Sequence, residues 1–437
     1  MQRTSVHIQF KNSSNFKEQL LQWAQQFKKV VWLDSNNYQQ KHSNFDAVLA
    51  VDAFSSIETS YKNAFSNLKS YQTKVNDYIF GYLSYDLKND VEAVSSSNFD
   101  GLNFPDLFFF QPKKIITIKN TTAKFLYLTE FENEITTDFQ NIIKNQKTKK
   151  KQKAQPTESN INIKLRILKD AYFKKMNSVL NHIHRGDIYE ANFCQEFYSE
   201  NSTINPLQVY QNLNAISKPP FATFLKLNDK FLLSASPERY LKKEGETILS
   251  QPIKGTEKRA RNDDEDQLLI TKLKQNPKER AENIMIVDLV RNDLSRIAIK
   301  GSVKVDELCK VYTFQQVHQL ISTISCKVKN NIHPVDILKN TFPMGSMTGA
   351  PKISAMKIIE AIEETKRGVY SGAVGYFTPN GNFDFNVIIR SILYNASKKY
   401  ISYSVGSAIT SQSQPEKEYE ECLLKAKAMK QVLLSTK

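Results

Sequence analysis

Gln251-Pro252-Ile253-Lys254-Gly255-Thr256 puts a lysine between two residues that dictate backbone shape. Pro252 fixes φ and Gly255 frees it, so the turn around Lys254 is specified from both sides. An ammonium held on a rigid segment against apolar neighbours loses hydration. Its pKa falls, and the free amine becomes a nucleophile or base near neutral pH. With 60 Lys and Arg residues in the chain, a solvated turn lysine is the competing reading.

Carboxylates form the second chemical pattern. Asn276-Pro277 is a helix opening, with Asn at N-cap and Pro at N1, and the helix runs through ERAENIMIVDLVRNDLSRI. Glu279 and Glu282 share a face of its first turns. The last helix opens near Pro415 and puts Glu418, Glu421 and Lys425 on one face. Two readings stand for these acids. They form solvated stripes, with a Glu421–Lys425 salt bridge, or the two helices meet around a cation. Mg²⁺ suits the second, since it takes one or two carboxylates and completes its shell with waters and substrate oxygens.

The elements that must carry these residues read as α+β. FDAVLAVDAF, YIFGYLSYDL, LFFFQPKKIITI and AKFLYLTEF have strand character, and SSIETSYKNAFSNLKSYQ that of a helix. A helix starts near Leu168, with Gly186 as its stop, and GDIYEANFCQEFYSE alternates like a strand. FATFLKL, KFLLSAS, RYLKKEG and ETILSQPIKGT follow as short antiparallel strands. Residues 342–359 form a glycine-containing loop entering a helix near Pro351, with spacing unlike a nucleotide loop. VYSGAVGYFT and FDFNVIIRSILY form a hairpin turning at Asn380-Gly381, and YISYSVGSAIT is a further strand. The basic, polar run 148–162 separates an N-terminal region, 1–147, from residues 163–437.

Composition narrows the class. With 40% hydrophobic residues, 26 Phe and 19 Tyr, the chain has the material for a large core. No apolar run reaches membrane-span length, and the N-terminus has no apolar h-region, so a cytoplasmic protein is expected. Cys194, Cys309, Cys326 and Cys422 lack metal-type spacing and read as reduced buried thiols. The net charge of +15 fits an RNA binder, but its one dense run, TKKKQK, lies in the linker. Neither nucleic acid nor membrane is therefore an expected partner.

Read together, GDIYEANFCQEF, SASPERYL, QPIKGTEKRAR, AENIMIVDLVRNDLSRI, VHQLIST, FPMGSMTGAPKISAMKIIE, VYSGAVGYF, NVIIRS and EYEECLLKAKAM resemble the chorismate-utilising enzymes. That family includes anthranilate synthase component I, aminodeoxychorismate synthase component I, isochorismate synthase and salicylate synthase. The resemblance is continuous over residues 168–430, and FGYLSYDL resembles the amino-terminal part of the two synthase large subunits. It implies two packed, largely antiparallel sheets flanked by helices, with the site in a cleft between them.

Pro-Ile-Lys-Gly-Thr is similar to the aminodeoxychorismate synthase version of its motif, whereas the anthranilate enzymes carry alanine at position 254. The resemblance implies that Lys254 attacks C2 of chorismate and expels the 4-hydroxyl. Ammonia from a separate glutamine amidotransferase subunit then attacks C4 and expels the lysine. It implies Glu238 as the acid, with an ion pair to Arg239 as the alternative, and His318 beside the ring, where the residue taken alone reads as a satisfied structural histidine. Mg²⁺ is implied on Glu282 and Glu421, with Glu279 and Glu418 as outer partners and Lys425 nearby. Tyr370 and Arg390 match positions that hold the enolpyruvyl carboxylate; Ser346, Gly349 and Gly406 match substrate-lining positions. Ala408 departs from the family, which often has glycine there. Anthranilate or isochorismate formation on the same scaffold is the nearer alternative; a non-catalytic RNA-binding protein is the distant one.

Overall fold

Two long strands, Ala47–Thr59 and Leu107–Lys119, tie the architecture together. They pair along their length, with a bulge between Ala53 and Ser55 where the strand bends. One half of the pair continues into a sheet through Lys29–Asp34, Phe221–Leu227, Lys230–Ser236, Ser391–Asn395, Tyr400–Ile409 and Glu190–Ser199. The other half continues through Ile79–Leu83, Ala373–Phe377, Phe383–Val387, Arg239–Glu244, Thr247–Gln251 and Val317–Lys327. Ile253–Lys258, which carries Lys254, pairs with Val317–Lys327. All of these pairings are antiparallel, and the fold is α+β. The computed structural model describes residues 2–38, 45–144, 161–260 and 262–435. The expected linker at 148–162 lies outside them, save 161 and 162.

The period of two along each strand sorts side chains into layers. Phe108 and Phe110 join Val31, Val48, Leu225, Leu232 and Val374 in a cluster fed by both sheets, so this cluster lies between them. Leu107 and Phe109 point the other way, into a core with Ile286, Val290 and Leu338 from covering helices. Val30 and Trp32 point out of the first sheet, toward Leu20, Tyr172, Leu213 and Met429 on its own helices. The strands on either side of the linker thus share both sheets and cores. Among the described residues, no helix is long and apolar enough to cross a membrane.

Three expectations need correction. Residues 55–59 extend a strand rather than open a helix, because Ile57 and Thr59 alternate across the sheet; the helix is Ala64–Val75. ETILSQPIKGT is two strands, Thr247–Gln251 and Ile253–Lys258, divided at Pro252, which has no N–H for the ladder. FDFNVIIRSILY likewise breaks between Val387 and Ser391, where Arg390 has a φ of +53°.

Candidate active site

Lys254 is placed by an irregular strand. The register shifts between Ile253 and Thr256, and Gly255 takes a φ of +84°. A Cβ on Gly255 would sit 3.0 Å from the Glu279 carboxylate, so the strand and the Pro277–Ser295 helix approach closely here. Lys254 Nζ lies 3.5 Å from Oε1 of Glu190, at the long edge of a hydrogen bond. Burial alone would lower the lysine pKa, but the carboxylates of Glu190, Glu282 and Glu238 outweigh it and hold it above the usual value. This corrects the expected fall in pKa. The sequence motif supplied the apolar setting, and the acids come from three other segments.

Glu238 lies within electrostatic reach of Lys254. It is 4% exposed, and burial pushes its carboxyl up to about 7, against the opposing pull of Ser346 and Lys254. Ser346 Oγ donates to Glu238 Oε1 at 2.8 Å. The alternative ion pair with Arg239 is not formed; that guanidinium reaches Asp384 at 2.9 Å and Gln251 at 2.6 Å.

The two acidic helices bring their carboxylates within electrostatic range of one another. Asn276 caps the first through its side chain, accepting from the N–H groups of Lys278 and Glu279 as the sequence implied. Burial raises the Glu279 carboxyl, and the negative charge of Glu421 on Pro415–Leu434 adds to the rise. Glu282 is raised by burial and by both of these acids. Glu418 is buried and accepts a hydrogen bond from Ser407. Glu421 takes the expected salt bridge from Lys425 at 2.6 Å. Burial would raise Glu421, but Lys425, Lys278 and Lys254 together hold it below its usual value. Among the described residues, no three ligand-type side chains already stand in metal-binding geometry. A pair of carboxylates completed by water and substrate oxygens needs no such group.

The remaining candidates connect to these residues through individual contacts. Lys425 Nζ donates to the Gly406 carbonyl at 2.9 Å. A Cβ on Gly406 would meet Cys194 Sγ at 2.5 Å and Asn192 Oδ1 at 2.6 Å, so any larger residue there would have to displace those side chains. Ala408 stands opposite Asn192 in the register, on the same face as Gly406. Gly349, with a φ of +152°, lies against the Glu190 carbonyl, which leaves no room for a side chain. Tyr370 is buried, with its hydroxyl 3.8 Å from Cys194 Sγ. Arg390 is desolvated, which lowers its pKa against the opposing electrostatic pull of the Tyr370 hydroxyl and the Glu421 carboxylate.

His318 is the candidate that does not join them. It is fully buried and pairs in register with Glu257. Its Nε2 is 2.9 Å from Asp266 and its Nδ1 is 3.0 Å from Thr313. Both ring nitrogens therefore serve the scaffold.

Four residues of this neighbourhood escaped the motif reading: Glu190, Asn192, Glu363 and Arg367. The alternation of GDIYEANFCQEF was a usable signal, because it puts Glu190, Asn192 and Cys194 on one face of a buried strand. Arg367 binds Glu363 at 2.7 Å and donates to the carbonyls of Met347 and Asn192, each at 2.6 Å. It thereby ties the Ser346 loop to the Glu190 strand. Arg367→Ala leaves Glu363 buried and unpaired, with an expected loss of about 3–5 kcal/mol of stability. A denaturant midpoint equal to that of the unchanged chain would refute this account of the brace.

A model of the chorismate binding enzymes matches residues 12–431. The Synechocystis "anthranilate synthase component I-like protein" is 34% identical over 80% of this chain and 71% of its own length. Component 1 of aminodeoxychorismate synthase from Escherichia coli is 41% identical over 58% of this chain, and the match spans only 55% of that protein. The crystal structure of anthranilate synthase component I from Streptococcus pneumoniae superposes with a TM-score of 0.75, covering 90% of this chain and 93% of that one at 24% identity. This last likeness speaks for the fold.

Proposed function

Because this chain belongs to the family of chorismate-binding enzymes, we propose that it is an aminodeoxychorismate synthase component I. It replaces the 4-hydroxyl of chorismate by ammonia, giving 4-amino-4-deoxychorismate for p-aminobenzoate and folate synthesis. The observation that carries the reading is Lys254, in the cleft beside Glu190, Glu238 and Glu282. Once its ammonium proton has been lost to solvent, the free amine suits attack at C2 with allylic departure of the 4-hydroxyl, which divides one hard substitution into two easier ones. Glu238, its carboxyl raised to about 7, holds the proton that the leaving hydroxyl needs. Arg390 and Tyr370 are suited to the enolpyruvyl carboxylate.

Glu282 and Glu421 would hold Mg²⁺, with Glu279 and Glu418 around them. When bound, the ion supplies positive charge for the ring carboxylate and relieves the repulsion between the glutamates. Ammonia would come from a glutamine amidotransferase subunit in the cytoplasm. Burial pushes the Cys194 and Cys326 thiols up to about 12 and raises Cys309 and Cys422, so no thiol here is primed for glutamine hydrolysis.

Incubation with chorismate, ammonium salt and Mg²⁺ should yield aminodeoxychorismate, and a chelator should stop turnover. Anthranilate or isochorismate as the only product would overturn the reading. A purified amidotransferase with glutamine should replace the ammonium salt.

A further inference from the structure

We propose that Glu190 is the seat of the nitrogen nucleophile, an inference that rests on the reaction just described. Glu190 is 2% exposed and opens the buried strand Glu190–Ser199. Its Oε1 faces Lys254 Nζ at 3.5 Å. Its Oε2 is buried and, among the described residues, has no hydrogen-bond partner. An orphaned carboxylate oxygen in such a place costs the full desolvation of that atom. A small donor must satisfy it, and it must fit beside a lysine that already carries a positive charge.

Ammonia meets these demands. It donates one N–H to Oε2 and keeps its lone pair free for the ring. Asn192 is the next residue on the same strand face, and its Nδ2 is spent on the Ser346 carbonyl at 3.2 Å. The order of events follows from position. Once Lys254 is joined to C2 as a protonated secondary amine, the nitrogen on Glu190 forms its bond to C4. The C2–Nζ bond breaks with allylic shift, and its electron pair returns to Nζ. The new nitrogen on C4 then carries the positive charge, and its surplus proton passes to Oε2 of Glu190. Atoms and charge balance without any further reactant.

The test compares the unchanged chain with Glu190→Gln and Glu190→Ala, using ammonium chloride as the nitrogen source, with Mg²⁺ and saturating chorismate. The expected result is a rise in KM for ammonium of about 10- to 100-fold, the size of a lost charged hydrogen bond. KM for chorismate should stay within about twofold by the same argument, since the proposal gives Glu190 contacts to Lys254 and to the ammonia but none to chorismate. Intact-protein mass spectra should show the Lys254–substrate adduct accumulating in both variants. An unchanged KM for ammonium, or loss of the adduct, overturns the proposal while leaving the reaction itself intact. Thermal melting of Glu190→Gln, which keeps shape and size, separates misfolding from the kinetic effect. If the unchanged chain forms no aminodeoxychorismate at all, the reaction assignment falls, and this proposal falls with it.

Discussion

Lys254→Ala is expected to lower kcat by on the order of 10³-fold or more, because it removes the nucleophile and not merely a contact. The covalent adduct seen by mass spectrometry should vanish with it. A second variant is needed, because Ala also strips the cation from Glu190, Glu238 and Glu282. The Lys254 pKa is raised in the fold, so its charge contributes stability fully below the pKa of an unfolded lysine. That contribution fades only as pH climbs through the higher folded value. At neutral pH, Lys254→Ala therefore loses both function and stability. Lys254→Arg keeps the positive charge among the acids but offers no displaceable amine. It should melt close to the unchanged chain and still be inactive. Turnover of Lys254→Arg within tenfold of the unchanged chain would remove covalent catalysis from the account.

The sheets were legible where a strand faces two apolar layers. LFFFQPKKIITI and the first half of YIFGYLSYDL announce themselves by composition, and both lie in or across the central cluster, whereas Tyr85–Leu87, expected to continue the strand, forms a 3-10 turn. Legibility failed where tertiary context decides. SSIET has no strong local preference, and pairing with residues 107–111 makes it a strand. DDEDQLLITKLKQ went unread although it forms the helix Asp263–Gln275; its acids crowd the first turn and its burial is slight. Neither the sharing of two long strands between the sheets nor the bulge at Ala53 has a signature short enough to read locally.

For the site, local chemistry was the readable part. The Asn276 cap, the glycine at 255 and the Glu421–Lys425 pair follow from short-range rules, whereas Gly349 and Gly406 came only through the resemblance and are crowded by Glu190 and Cys194 from far along the chain. The charge state of Lys254 did not, because Glu190, Glu238 and Glu282 come from three segments far apart in sequence. His318 shows the opposite failure. A polar aromatic residue beside a recognised motif invites a catalytic role, yet Asp266, from the helix that went unread, holds its Nε2. The motif located the neighbourhood; only the packing said which way each side chain turns.

Glu238→Gln should produce the second large effect, and its pH dependence carries the argument. As the acid, Glu238 must be protonated when the hydroxyl leaves, so kcat of the unchanged chain should fall as pH rises through about 7. Glutamine has no proton to give. Activity should drop about 10²- to 10⁴-fold, and the descending limb near neutrality should disappear. Stability should move the other way. A carboxyl raised from 4.5 to about 7 is tolerated freely while protonated, below its unfolded pKa. Its ionisation then costs the fold progressively between those two values, reaching on the order of 3 kcal/mol above them. Glutamine keeps the acceptor for Ser346 Oγ and never ionises. The variant should therefore melt higher than the unchanged chain at pH 8 and alike at pH 4. Equal melting at both pH values would place Glu238 in a wetter, ordinary setting and leave the reaction without its acid.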